Sequence, residues 1–235
     1  MTIQNQTQEQ SRHGSIEIRG ERLLLLPEKM VWWPARQTLL MADAHFGKAA
    51  VFRQAGIPVP TGSTEMMLRR IDAVIDHWKP NRLVILGDWV HAPTRNQVHY
   101  EDEVLAWRKQ RSKLDLCLIR GNHDRGHRQF FERMNLSVFD GPVHEHPFAF
   151  CHDHSLHENS GEYVLAGHVH PAVRVPAVLG STKLACFHFT SEFGVLPAFG
   201  EFTGTHSIKQ AAGDRIFVIA EGQVCEVSPA MVRAN

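Results

Sequence analysis

Short apolar runs and one long helical pattern divide this chain into elements. Leu23–Leu26 and Val31–Trp33 flank Pro27-Glu28-Lys29 and predict a hairpin. Thr38–Ala42 reads as a buried strand. Ser63 is an expected N-cap with Glu65 in the first turn. Met67, Ile71, Val74, Ile75 and Trp78 then recur at helical spacing, and Pro80 follows the helix end. Arg82–Leu86 is the next strand, and Glu101–Lys113 a helix whose apolar side is Val104, Leu105 and Trp107. Leu114–Ile119, Phe148–Cys151 and Tyr163–Ala166 predict further strands. The chain from Lys183 is strand-rich, and Arg215–Ala220 and Gln223–Val227 pair around Glu221-Gly222.

Several of these strands drop polar residues at their C-terminal ends, where ligands gather in α/β folds. The pattern predicts one α/β domain over residues 15–235. The polar, Gln-rich stretch 1–14 is expected to be a flexible tail without a signal peptide's apolar segment. No segment approaches the roughly 20 apolar residues that span a bilayer.

Composition narrows the choice. The 235 residues suffice for one sizeable core, and the 43% hydrophobic content is that of an ordinary globular protein. Lys+Arg and Asp+Glu are both 25, so no global basic field attracts nucleic acid, and any such attraction must be local. The four cysteines, Cys117, Cys151, Cys186 and Cys225, are too widely spaced for a structural zinc site. The first three lie in apolar runs and read as reduced core residues of a cytoplasmic protein. Histidine is the anomaly, at 16, and it is the commonest metal ligand.

Five of those histidines fall in an ordered series: Asp43-Ala-His45, Gly87-Asp88, Gly121-Asn122-His123-Asp124, His152, and Gly167-His168-Val169-His170. Asp43 and His45 lie on one side of an extended chain. Alone, such a pair is an ordinary strand-to-loop turn. Asp88 has two oxygens and can bridge two cations, and Asn122 offers a neutral carbonyl oxygen. His123 can protonate a leaving oxygen, and Asp124 is placed to hold the His123 ring in one tautomer. His168 and His170 can reach different metals. His152 is preferred over the nearby His154 because it directly ends an apolar strand. Together the set supplies ligands for two metal ions, the arrangement that hydrolyses phosphate esters with metals roughly 3.5–4 Å apart. Without a thiolate, the donors suit Mn²⁺, Fe and Zn²⁺ alike.

The series resembles the calcineurin-like metallophosphoesterases from about Leu39 to His170. That resemblance implies a four-layer sandwich of two mixed sheets with helices outside. It also implies one metal on Asp43, His45, Asp88 and His170. The second would take Asp88, Asn122, His152 and His168, with Asp88 bridging. A hydroxide between the metals would attack phosphorus, and His123 would assist the leaving group. Further runs, Ala42–Lys48, Phe52–Pro60, Gly87–His91 and Leu196–Gly204, are similar to the bacterial ligase-associated DNA damage response endonucleases. This closer resemblance implies a manganese-preferring DNA nuclease working with an ATP-dependent ligase, a helicase and an exonuclease.

Lys48 and Arg53 follow the first ligand pair where a helix should begin. Each either contacts substrate phosphate or lies on a solvated helix face. His91 either reaches Asp88 or the substrate, or packs in its loop. The basic run Arg108–Lys113 reads as charge placement at a helix end rather than a nucleic-acid track. A small-molecule or nucleotide phosphoesterase and a non-catalytic repair scaffold are the competing functions.

Overall fold

The computed structural model describes residues 12–91, 98–156, 161–177 and 180–228, with backbone alone at 98 and 99. The first sheet runs in chain order: β1 (Gly14–Ile18), β2 (Glu21–Leu26), β3 (Met30–Trp33), β4 (Thr38–Met41), β5 (Arg82–Ile85), β6 (Asp115–Ile119) and β7 (Ser137–Phe139). β1 to β4 are antiparallel neighbours joined by short links. β4 to β7 are parallel. Parallel neighbours need long crossovers. These carry α1 (Lys48–Gln54), α2 (Ser63–Trp78), α3 (Val98–Gln110) and α4 (Arg128–Arg133).

The second sheet holds β8 (Val143–Glu145), β9 (Phe148–Phe150), β10 (Tyr163–Ala166), β11 (Pro171–Ala177), β12 (Gly180–Phe189), β13 (Phe193–Val195), β14 (His206–Ser207), β15 (Arg215–Ala220) and β16 (Gln223–Val227). Its order is β14-β11-β12-β13-β10-β9-β8, with β15 joining β12 and β16 joining β15. β9, β10 and β13 are parallel in a largely antiparallel sheet.

Both faces of the central strands β3 to β6 are buried, which explains their unbroken apolar runs. Leu40, Ala42, Val84, Leu86 and Ile119 point to the second sheet and meet Phe148, Phe150, Leu165 and Phe187. Their neighbours Leu39, Met41, Leu83, Ile85 and Leu118 point the other way, to Met67, Ile71, Val74, Trp107 and Phe130 on the helices. The result is the expected sandwich of two mixed sheets, with the described helices outside the first. Among the described residues, the outer face of the second sheet carries only small strand clusters, such as Val173, Cys186, Ile216 and Val218.

Several local expectations change. Ser63 is the first helical residue rather than the cap; Gly62, in the left-handed region, precedes it. The third helix starts at Val98 and ends at Gln110. The polar tail does not extend to residue 14. Gly14 opens β1, and Arg12 Nε donates to the Gly222 carbonyl while its own carbonyl accepts from Val224. Residues 1–11 lie outside the described residues. The basic run is committed to the fold. Arg108 is buried and donates to the Met134 and Leu114 carbonyls, and Arg111 pairs with Asp72 and Asp76 of α2.

Candidate metal centre

Parallel strands end side by side, so their C-terminal residues share one edge. β4 leads to Asp43 and His45, β5 to Asp88, and β6 to Asn122 and His123. From the facing sheet β9 leads to His152, and β10 to His168 and His170. Backbone bonds lace these exits together: Asp43 N–H to Gly87 O at 3.0 Å, His45 N–H to Asp88 O at 2.9 Å, and Gly167 N–H to His152 O at 3.0 Å.

Asp43, His45, Asp88, His168 and His170 all have positive φ, between 50° and 68°. For residues with a Cβ this conformation costs about 1–3 kcal/mol each. Such strain persists only where surrounding contacts over-determine it.

The side chains converge in two groups around Asp88. Asp88 Oδ2 lies 3.6 Å from His45 Nε2 and 3.6 Å from His152 Nε2. On one side, Asp43 Oδ1 is 3.4 Å from His170 Nε2. On the other, His152 Nε2 is 3.1 Å from both Asn122 Oδ1 and His168 Nδ1. Donors at right angles on metal bonds of about 2.1 Å lie about 3.0 Å apart, and at a tetrahedral angle about 3.4 Å. The observed spacings are those of ligand edges. Asp43 Oδ1 and both ring nitrogens of His45 are buried without a hydrogen bond. Leaving such groups unpaired is costly unless a cation serves them. The residues therefore fit two divalent ions.

Outer contacts fix the ring orientations. His152 Nδ1 lies 2.9 Å from the Leu86 carbonyl and His170 Nδ1 3.0 Å from that of Gly204. A carbonyl only accepts, so each Nδ1 carries the proton and each Nε2 lone pair faces the centre. His168 turns Nδ1 inward and Nε2 towards Asp153, 3.7 Å away. Asp43 Oδ2 accepts the His168 N–H, and Asp88 Oδ1 the His123 N–H, both at 2.9 Å.

Electrostatics follow from burial. Without a cation, desolvation pushes the Asp88 carboxyl up to about 7, opposed by the His123 N–H and reinforced by Asp43. Desolvation lowers His45 to about 2, reinforced by Lys48. The imidazole thus stays neutral, the form a metal requires. His123 is also lowered, by burial and then by Lys48. Burial lowers Lys48 itself, against the pull of Asp88 and Asp43.

The structure places the remaining expected residues unequally. His91 stacks on His123, with ring centroids 4.8 Å apart, and His45 meets His123 edge-on at 5.0 Å. Arg53 donates to the Pro60 carbonyl and so holds the loop after α1. His154 stacks on Phe193 at 4.1 Å, so His152 alone of the two reaches Asn122. Asp124 does not hold the His123 ring. It is buried, and its oxygens accept the backbone N–H groups of Gly121, Asp88 and Val90, tying the second and third ligand loops together. Asp153 and the Leu86 and Gly204 carbonyls escaped the sequence reading. Only Asp153, adjacent to His152, left any signal there.

The calcineurin-like phosphoesterase family matches residues 37–155. The chain belongs to this family. It is therefore a metal-dependent phosphoesterase, a hydrolase. Among solved structures, the nuclease MPE of Pseudomonas putida is 38% identical, with a TM-score of 0.78, covering 92% of this chain and 100% of its own. The phosphoesterase YfcE of E. coli is 13% identical over 81% of this chain and 97% of its own, with a TM-score of 0.42. No curated protein matches the chain. The family match ends before His168 and His170, whose place in the centre rests on the geometry above.

Proposed function

We propose that this phosphoesterase is a two-metal phosphodiesterase that cleaves DNA within a ligase-associated repair system in the cytoplasm. The observation that carries this reading is one oxygen, Asp88 Oδ2, equidistant from His45 and His152. A carboxylate there can bridge two ions. One ion would take Asp43, His45, Asp88 and His170, the other Asp88, Asn122, His152 and His168. Mn²⁺ is the expected metal, with Fe or Zn²⁺ compatible with the same donors. When bound, the pair supplies Lewis acidity and a water acidified enough to act as nucleophile. The 38% identity to a nuclease favours a nucleic-acid substrate.

The chain's own groups do the rest. Lys48, whose ammonium feels the Asp88 and Asp43 carboxylates, meets a substrate phosphate. His123 protonates the leaving alkoxide, and His91, stacked against it, fixes its plane or contacts the substrate.

The test uses metal-stripped protein with Mn²⁺, Zn²⁺ or Mg²⁺ restored. DNA cleavage should return with metal. His123→Ala should cut DNA about 10²–10⁴-fold more slowly. Its loss on bis-p-nitrophenyl phosphate should be much smaller, because nitrophenolate leaves without a proton. Equal losses on both substrates would remove His123 as the acid. Preference for a phosphate monoester would make the protein a phosphatase, and bound metal without turnover would make it a repair scaffold.

A further inference from the structure

The two halves of the centre open on different spaces. Beside His45 and Lys48 lies a cavity of only about 100 Å³. Beside Asn122, His152 and His168 lies one of about 360 Å³, within the size range of small-molecule sites. The lining of the larger one is mixed. Ile119 and Cys151 form buried apolar wall, while Leu156, at the rim, is 83% exposed. Leu156 offers an apolar face at the mouth of a cavity that also meets Asn122, His152 and His168, where a flat ring can pack against it. Arg125 also lines the cavity and pairs with no described residue, whereas Arg120 is held by Asp140.

We propose that this cavity is a nucleoside subsite, which rests on the phosphodiesterase reading above. With the scissile phosphate over the metals, the nucleoside on the Asn122 side enters the larger cavity. Its base packs on Leu156, and the next phosphate meets Arg125. Among the described residues, the cavity on the other side, beside His45 and Lys48, has less than a third of that volume. The centre is therefore asymmetric, reading a base on one flank only.

The experiment compares KM for short single-stranded oligodeoxynucleotides that carry one abasic residue on either flank of a single cleavable phosphodiester. An abasic residue on one flank should raise KM roughly tenfold in the wild type, on the order expected for partial burial of a base. On the other flank it should change little. Leu156→Ser should bring the two flanks to the same KM, and Arg125→Ala should reduce the salt slope of log KM by about 0.7. Equal KM for the intact and both abasic oligonucleotides in the wild type would overturn the subsite. So would discrimination that survives Leu156→Ser. Failure of the metal-loaded wild type to cut any of these oligonucleotides would instead overturn the phosphodiesterase reading beneath it.

Discussion

At the scale of single residues, the centre is built by close approach. Gly87 has a φ of 82°, and a Cβ there would sit 2.1 Å from His152 Nδ1. The space a side chain would fill is the space through which His152 reaches the Leu86 carbonyl. Gly87→Ala should therefore displace His152 and weaken metal binding about 10–100-fold, the usual effect of losing a partner behind a ligand. A Mn²⁺ titration followed by calorimetry checks this; wild-type affinity in the variant would show that His152 does not depend on that contact. Gly121 is as tightly placed, its missing Cβ 2.2 Å from Asp88 Oδ1. The sequence displayed both glycines beside ligands. It could not display what crowds them, because His152 and Asp88 lie far off along the chain.

At the scale of elements, the hairpin turn between β2 and β3 docks on α2. Lys29 sits in that turn, and burial lowers its ammonium to about 8, with Arg70 of α2 adding to the shift and Glu201 opposing it. Arg70 lies over the Phe199 ring and donates to the Phe199 carbonyl, so the turn, the helix and the late loop share one cluster. A lysine whose folded pKa is depressed holds fewer protons than the unfolded chain between about 8 and its ordinary value. Wild-type stability should thus rise with pH across that window. Lys29→Met should stabilise the protein at pH 7 by on the order of 1–3 kcal/mol, and the advantage should shrink towards pH 10. Denaturant melts at pH 7 and pH 10 measure this, and a pH-independent difference would remove desolvation as its cause. The β2–β3 hairpin itself was legible in the sequence, as was the β15–β16 pair. The start of α2 was not, since Ser63 offers capping chemistry yet the chain turns through Gly62.

At the scale of the whole molecule, seven expected ligands from two sheets meet at one edge, five of them in left-handed backbone. Metal binding and folding should then be coupled. Stripping the metals should lower Tm by roughly 5–10 °C relative to protein in about hundredfold excess over Kd. Calorimetry with and without Mn²⁺ reads this directly; an unchanged Tm would show that the loops are held without the ions. The expectation follows from the buried, unbonded Asp43 Oδ1 and His45 Nε2, which a cation would relieve.

The sequence by itself determined the donor types, their order, and their delivery at strand ends, because strand periodicity and polar punctuation are local properties. It also identified the sandwich through a combination of motifs too specific to arise singly. Only the tertiary structure decided that Asp88 stands between two histidines, that His152 rather than His154 faces Asn122, and that Asp124 fastens backbone instead of the His123 ring. It alone revealed that the cavity on the Asn122 side of the centre, about 360 Å³, is several times larger than the one of about 100 Å³ beside His45. The reason is the same in each case. These outcomes depend on which distant segments abut at the shared sheet edge, and a local pattern carries no record of its neighbours across the fold.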